Sequence, residues 1–168
     1  MKKILIILSL LMTFVLGCAK TVKTFEINAE PGTKVPNFEL KDFSAAKTPV
    51  RKIFNNGKPT LFIVAAEWCP DCHAELPDVQ KFYEENKDNI NVVVVFTRRK
   101  TNLSATKKYV EENKFTFPVY YDSTDSLMKA FKVKTVPYNL IIQNSRIQKD
   151  LGGSKNYEEL KEAFYLNY

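Results

Sequence analysis

An open α/β sheet carrying an antiparallel hairpin at its carboxyl end is the fold class this chain predicts, and three observations predict it. Strand-like and helix-like segments alternate along its length. Two of the strand-like runs, Thr60 to Ala66 and Asn91 to Thr97, are apolar almost throughout, the second with four consecutive valines, so they read as strands buried on both faces. At 168 residues and 45% apolar content, with no internal repeat, the chain is one domain's worth of sequence.

The amino-terminal segment stands apart from that body. Lys2 and Lys3 precede the apolar stretch Ile4 to Leu16, whose thirteen residues are too few to cross about 30 Å of hydrocarbon as a helix, so it reads as an export signal. Val15, Leu16, Gly17 and Cys18 then follow in a pattern that resembles the lipobox of bacterial lipoproteins, with Leu16 a departure from the small or β-branched residue commoner there. The resemblance implies cleavage after Gly17 and lipidation of Cys18; a plain secretory peptide with an unrelated cysteine is the other reading. Acyl chains contribute about 0.8 kcal/mol per buried methylene and hold a protein at a membrane without a spanning helix. The expected organisation is a signal over residues 1–17, a lipidated terminus and tether over 18–35, and a globular domain over 36–168. Ala19 to Val35 lacks apolar periodicity and contains Pro31-Gly32, with an extended stretch expected at Thr24 to Ile27.

Within the body, Phe38 to Leu40 and Arg51 to Phe54 read as short strands of an edge hairpin around a loop containing Pro49, an amino-terminal β extension. Thr60 to Ala66 is the central strand. After it Leu76, Val79, Phe82 and Tyr83 recur at helical spacing to about Lys87, with Pro77 expected to kink the helix near its start. Asn91 to Thr97 is the second buried strand, and Ser104 to Lys114 a helix with Ser104 as cap. Pro118 to Tyr121 reads as a strand, and Ser123 to Lys132 as a helix turning Leu127, Met128 and Phe131 inward. Tyr138 to Gln143 and Ile147 to Leu151 form a hairpin about Asn144-Ser145, broken by Gly152-Gly153. Tyr157 to Phe164 closes the chain as a helix with Leu160, Ala163 and Phe164 on one face.

Chemistry concentrates where the central strand ends, at Trp68, Cys69, Pro70, Asp71 and Cys72. A strand running into Cys-x-x-Cys reads as a redox turn. A helix that begins at Cys69 turns its free N–H groups on that sulfur and favours a thiolate, making Cys69 the nucleophile. Cys72, one helical turn further in, is placed to close a disulfide with it and is the resolving thiol. Half of a zinc site and a stabilising bridge are the competing readings. A structural zinc takes about four soft ligands, whereas the chain has three cysteines and one histidine. A stabilising bridge closes a long loop, and this pair spans a short one.

From Lys58 to Phe164 the chain resembles the thioredoxin-fold family, in particular its exported, membrane-tethered thiol–disulfide oxidoreductase branch of envelope reductases and cytochrome-maturation proteins. The residues that carry the resemblance are Ala66 to Cys72 as the active-site turn, Pro77 in the following helix, and Val136-Pro137 before a strand. The 65 residues from Cys72 to Pro137 leave room for an inserted helix-strand unit, Ser104 to Tyr121, and Val35 to Leu40 resembles the opening of the same branch and of peroxiredoxins. The resemblance implies a thioredoxin-like fold, a mixed sheet flanked by helices, and no cofactor beyond a redox-active Cys69–Cys72 disulfide.

It also implies roles. Cys69 attacks and Cys72 resolves; Trp68 shapes the surface beside them, unless it is only a packing aromatic; and a cis Val136-Pro137 bond leaves the Val136 backbone to pair with an extended substrate. Glu75, three residues after Cys72, corresponds to a carboxylate near the thiols in the envelope reductases, where partial burial raises its pKa and lets it relay a proton. Thioredoxin's buried aspartate six residues before its first cysteine is replaced here by Ile63, which leaves that task open. A solvated glutamate favoured by the helix terminus is the alternative. Pro70-Asp71 tunes the couple: the Asp71 charge opposes a thiolate at Cys69 and makes the pair more reducing, or Asp71 points outward and merely caps the helix.

His73, the only histidine, is expected to face solvent without a role. Arg98, Arg99 and Lys100 follow the second strand at the thiol end; they are a solvated loop or a selector of acidic partners. Without Met1 to Gly17 the formal charge falls from +6 to +4, from 23 basic and 19 acidic residues, which suits an anionic membrane surface or acidic partners and specifies neither. Nothing resembles a nucleic-acid motif.

The function these readings support is protein-disulfide reduction on the outer side of a bacterial membrane. Its partners are disulfide-containing protein substrates and a membrane thiol protein that returns electrons. A peroxiredoxin-like peroxide reductase, for which the Pro-x-x-x-Thr/Ser approach to Cys69 is missing, and a copper-delivery module, for which no histidine follows His73, are the alternatives.

Overall fold

Thr60–Ala65 (β3) is buried along its whole length, and the other elements are arranged around it in a computed structural model that describes residues 25–165. The expected signal and Cys18 lie outside the described residues. Asn91–Thr97 (β4) runs parallel to β3 with Val64 opposite Val95, and Val119–Asp122 (β5) runs parallel to β4. On the other side Tyr138–Gln143 (β6) is antiparallel to β3, with Ile63 opposite Asn139, and Arg146–Gly152 (β7) is antiparallel to β6. The order β5-β4-β3-β6-β7 is a mixed sheet whose antiparallel part is the expected hairpin.

The two-residue period of β3 divides the core into two layers. Leu61, Ile63 and Ala65 face Pro70–Asn86 (α2) and Tyr157–Tyr165 (α5), where Leu76, Val79, Phe82, Leu160, Ala163 and Phe164 fill one cluster. Phe62 and Val64 face the opposite way, towards Phe54 of the short helix Arg51–Phe54 (α1) and Leu127 and Met128 of Ser126–Ala130 (α4). Phe62 is the centre of that second layer, stacked on Phe131 at 5.2 Å and edge-on to Phe54 at 6.1 Å. Leu103–Glu112 (α3) and β5 form the inserted unit, which adds one parallel strand at the sheet's edge.

Four expectations are corrected. Arg51 to Phe54 is helix, not strand: the edge hairpin pairs Glu39–Lys41 (β1) with Lys47–Pro49 (β2), and the Val50 N–H donates to Phe38 O at 2.9 Å as the hairpin ends. Ile53 and Phe54 then donate back to the Val50 carbonyl, closing a helical turn that four residues with two adjacent apolar positions could not have signalled. The cap of α3 is Asn102, whose Oδ1 accepts from the Ala105 N–H at 3.0 Å, rather than Ser104. The helix expected from Ser123 starts only at Ser126, because the buried Asp122 carboxylate accepts from the N–H groups of Thr124, Ser126 and Leu127 and holds 123–125 as a turn, with Asp125 at φ 56°.

The fourth correction concerns the tether. Its described part, residues 25–35, is packed against the body: Ile27 and Val35 are buried, and the Ile27 N–H donates to Ala130 O at 2.7 Å. Thr33, Val35 and Gly32 exchange backbone hydrogen bonds with Ser145 and Ile147 at the edge of β7. Among the described residues no helix is long and apolar enough to cross a membrane.

Candidate active site

At the end of β3 the chain leaves the sheet through Ala66, Glu67 and Trp68 and enters α2 at Cys69. Cys69 is the N-cap, with extended backbone (φ −89°, ψ 120°), and its carbonyl accepts from the His73 N–H at 3.1 Å. Pro70 occupies the first helical position, where a residue without an N–H costs nothing, and Asp71 follows in the first turn. Cys69 therefore lies at the positive end of a helix of 17 residues, which continues through the exposed Pro77.

The two thiols are free and differ in access. Cys69 is 6% exposed and Cys72 is fully buried, so of the pair only Cys69 keeps any contact with solvent. Cys69 donates its S–H to Val136 O at 3.2 Å, and the Val136-Pro137 peptide is cis. The Cys72 sulfur accepts from the Ala66 N–H at 3.5 Å. Burial pushes the Cys72 thiol well above its ordinary value; the Ala66 N–H opposes this, while Cys69 and Glu75 add to it.

Glu75 projects from the first turns of α2 into the same buried layer and is 1% exposed, so it is not a solvated residue. Its Oε1 accepts from Asn139 Nδ2 at 2.8 Å and from the Lys155 N–H at 2.9 Å, while Oε2 has no partner among the described residues. Burial raises its pKa from 4.5 to about 7, against those two hydrogen bonds. Asn139 is a site residue the sequence did not disclose. Its amide also reaches the carbonyls of Gly152 and Gly153, at 3.3 and 3.0 Å, so one side chain joins α2 to the end of β7. Its only mark in the sequence is a carboxamide inside an apolar strand.

Trp68 is 41% exposed and lies against the loop after β4, donating from Nε1 to Arg99 O at 2.6 Å, with the Lys100 ammonium 5.0 Å from its ring centre. Glu67 is a second residue missed. Its carboxylate accepts from the hydroxyls of Thr101 and Thr106, and burial raises its pKa. His73 is exposed, as expected, yet bonded to the Glu67 carbonyl and set against Tyr109 of α3 at 4.7 Å. These contacts tie the active-site turn to the inserted helix. Asp71 is exposed, and its carbonyl accepts from Ser154 Oγ at 3.4 Å. Cys69, Cys72, Glu75, Trp68, Pro70, Asp71, Val136 and Pro137 thus converge, and Cys18 lies outside the described residues. No cluster of three or more His, Cys, Asp and Glu is placed to hold a metal ion among the described residues.

Residues 31–149 match the family model described as AhpC/TSA family. The chain belongs to the AhpC/TSA family. Within the AhpC/TSA family it is similar to sporulation thiol-disulfide oxidoreductase A of Bacillus subtilis, with 32% identity over 111 residues, 64% of this chain and 67% of that protein. It is also similar to the thiol-disulfide oxidoreductase ResA of Bacillus thuringiensis, with 25% identity over 140 residues, 83% of this chain and 79% of that one. The crystal structure of StoA from Bacillus subtilis superposes with a TM-score of 0.66 at 30% identity, covering 80% of this chain and 97% of that one. This AhpC/TSA-family chain has the thioredoxin-like fold.

Proposed function

We infer that the protein is a thiol–disulfide oxidoreductase acting as a reductase on disulfide-containing proteins. One observation carries the reading: a cysteine at a helix N-terminus, the less buried of the pair, touches the Val136 carbonyl beside Pro137, with a second thiol fully buried one turn behind it. The similarity to named thiol-disulfide oxidoreductases supports it.

Cys69, at the N-terminus of α2, attacks as thiolate and forms a mixed disulfide while one substrate thiolate departs. Cys72 then loses its proton and attacks the Cys69 sulfur. The mixed disulfide breaks, the Cys69–Cys72 disulfide forms, and the second substrate thiolate leaves and is protonated. Two electrons pass to the substrate, and a dithiol protein must return them. Because the Cys72 thiol is held protonated by burial, resolution needs a base, and Glu75 supplies one: buried close by, poised near 7, with an unpartnered oxygen. Val136 pairs with the substrate backbone, Trp68 borders it, and Pro70-Asp71 sets the potential.

The protein is exported and anchored through lipidated Cys18, and its electron donor is a membrane thiol protein; the lipobox-like Val15 to Cys18 supports this. Residues 1–17 are then removed, and the globular domain takes in residues 25–35 beyond the boundary the sequence suggests, as their packing supports. Cys69→Ser is expected to abolish reduction of a protein disulfide and Cys72→Ser to accumulate mixed disulfides; wild-type turnover by either variant overturns the mechanism. Loss of membrane association and of acyl label in Cys18→Ala tests the anchor.

A further inference from the structure

Next to Cys69 a cleft of about 300 Å³ opens between the loop after β4 and the segment that precedes β6. Its floor is apolar, from Met128, Val136 and the Trp68 ring, and its rim carries Arg99, Lys100 and Lys134. Val136 links cleft to chemistry, because the carbonyl that meets the Cys69 sulfur belongs to a residue lining it. The charge is of one sign: among the described residues no acidic side chain lines the cleft. Arg99 is partly neutralised by Asp125 at 3.4 Å. Lys100 and Lys134 are exposed and form no ion pair among the described residues, and Lys100 is held in place by its backbone at φ 59° and by the Trp68 ring. A chain that reaches the sulfur through this cleft thus meets uncompensated positive charge at its rim.

We propose that this cleft selects oxidised protein segments that carry an aspartate or glutamate within a few residues of the attacked cysteine, seated with the carboxylate between Lys100 and Lys134. The inference rests on the reductase reading and names the substrate class of that same site. An apolar floor with a cationic rim fits an acidic side chain lying flat, its methylenes on Met128 and Trp68 and its carboxylate at the mouth.

The test uses pairs of disulfide-linked peptides that differ only in glutamate or lysine beside the cysteine, with kcat/KM measured for the full domain. Two exposed ion pairs to Lys100 and Lys134 give roughly a tenfold preference for glutamate at low salt. The preference should shrink several-fold between about 0.02 and about 0.5 M salt, where screening shortens from roughly 20 to 4 Å. Lys100→Glu with Lys134→Glu should abolish or reverse the ratio, and Lys100→Arg with Lys134→Arg should keep it. If the reversed pair does not fold, Lys100→Gln with Lys134→Gln should reduce the ratio towards unity. A wild-type preference below about twofold at low salt, or one that survives both neutralisation and reversal, overturns the proposal. Reduction of the neutral hydroxyethyl disulfide by the wild type separates the two failures: turnover without charge preference removes only the selectivity, and no turnover removes the reductase reading with it.

Discussion

Glu75 holds its proton longer in the folded protein than in the unfolded chain, since burial moves it from 4.5 to about 7. Its contribution to stability is therefore most favourable below about 4.5 and is lost as pH rises through about 7, a difference on the order of 3 kcal/mol. Glu75→Gln should flatten that part of the pH–stability curve, measured by urea midpoints across the range, and, with Cys72 intact, slow resolution of the mixed disulfide on Cys69. Asn139→Ala should act differently. It removes a hydrogen bond that favours the ionised carboxylate, so the midpoint in pH moves up instead of disappearing. A midpoint unchanged in Asn139→Ala would show that the carboxamide only braces β7. The glutamate was legible from its spacing after Cys72, because a helix converts three residues into one turn. Asn139 was not, because its address depends on a sheet register that places it opposite Ile63 across strands far apart in sequence. Glu67 escaped for the same reason, its partners Thr101 and Thr106 lying beyond β4.

The elements divide according to how much of their burial is local. β4 and β6 match the expected Asn91 to Thr97 and Tyr138 to Gln143, and β3 the expected run but for Ala66, since unbroken apolar runs fix buried strands without tertiary help. The helix after the thiols was equally clear from the helical spacing of Leu76, Val79, Phe82 and Tyr83. The edge was not: β1 and β2 have three residues each, too few for a period to emerge, and the turn closing on Val50 decides the matter. The delayed start of α4 depends on the Asp122 carboxylate, a local bond that a hydrophobic pattern does not register. For α3 the cap carries a prediction. Asn102→Ala should destabilise the protein by about 1 kcal/mol in denaturant titration. It should also loosen the neighbouring Thr101 and Thr106, which hold Glu67 in the active-site turn.

At the scale of the molecule, two apolar layers share one sheet, and the segment before Pro36 completes the second of them. Ile27 is 2% exposed within that layer, so Ile27→Ala should lower stability by about 2–5 kcal/mol, as for any buried aliphatic residue. A change below about 0.5 kcal/mol would mean that the segment is detached in solution. The thioredoxin-like arrangement was legible because alternation, length and the cysteine turn agreed with one another; the packing of residues 25–35 was not, because backbone pairing rather than apolar periodicity fastens them to β7. Ile27 hangs on the last residue of α4 while residues 32–35 hang on the hairpin that carries β7, so the segment buckles two elements together across the outer face of the second layer, and removing it should uncover that face.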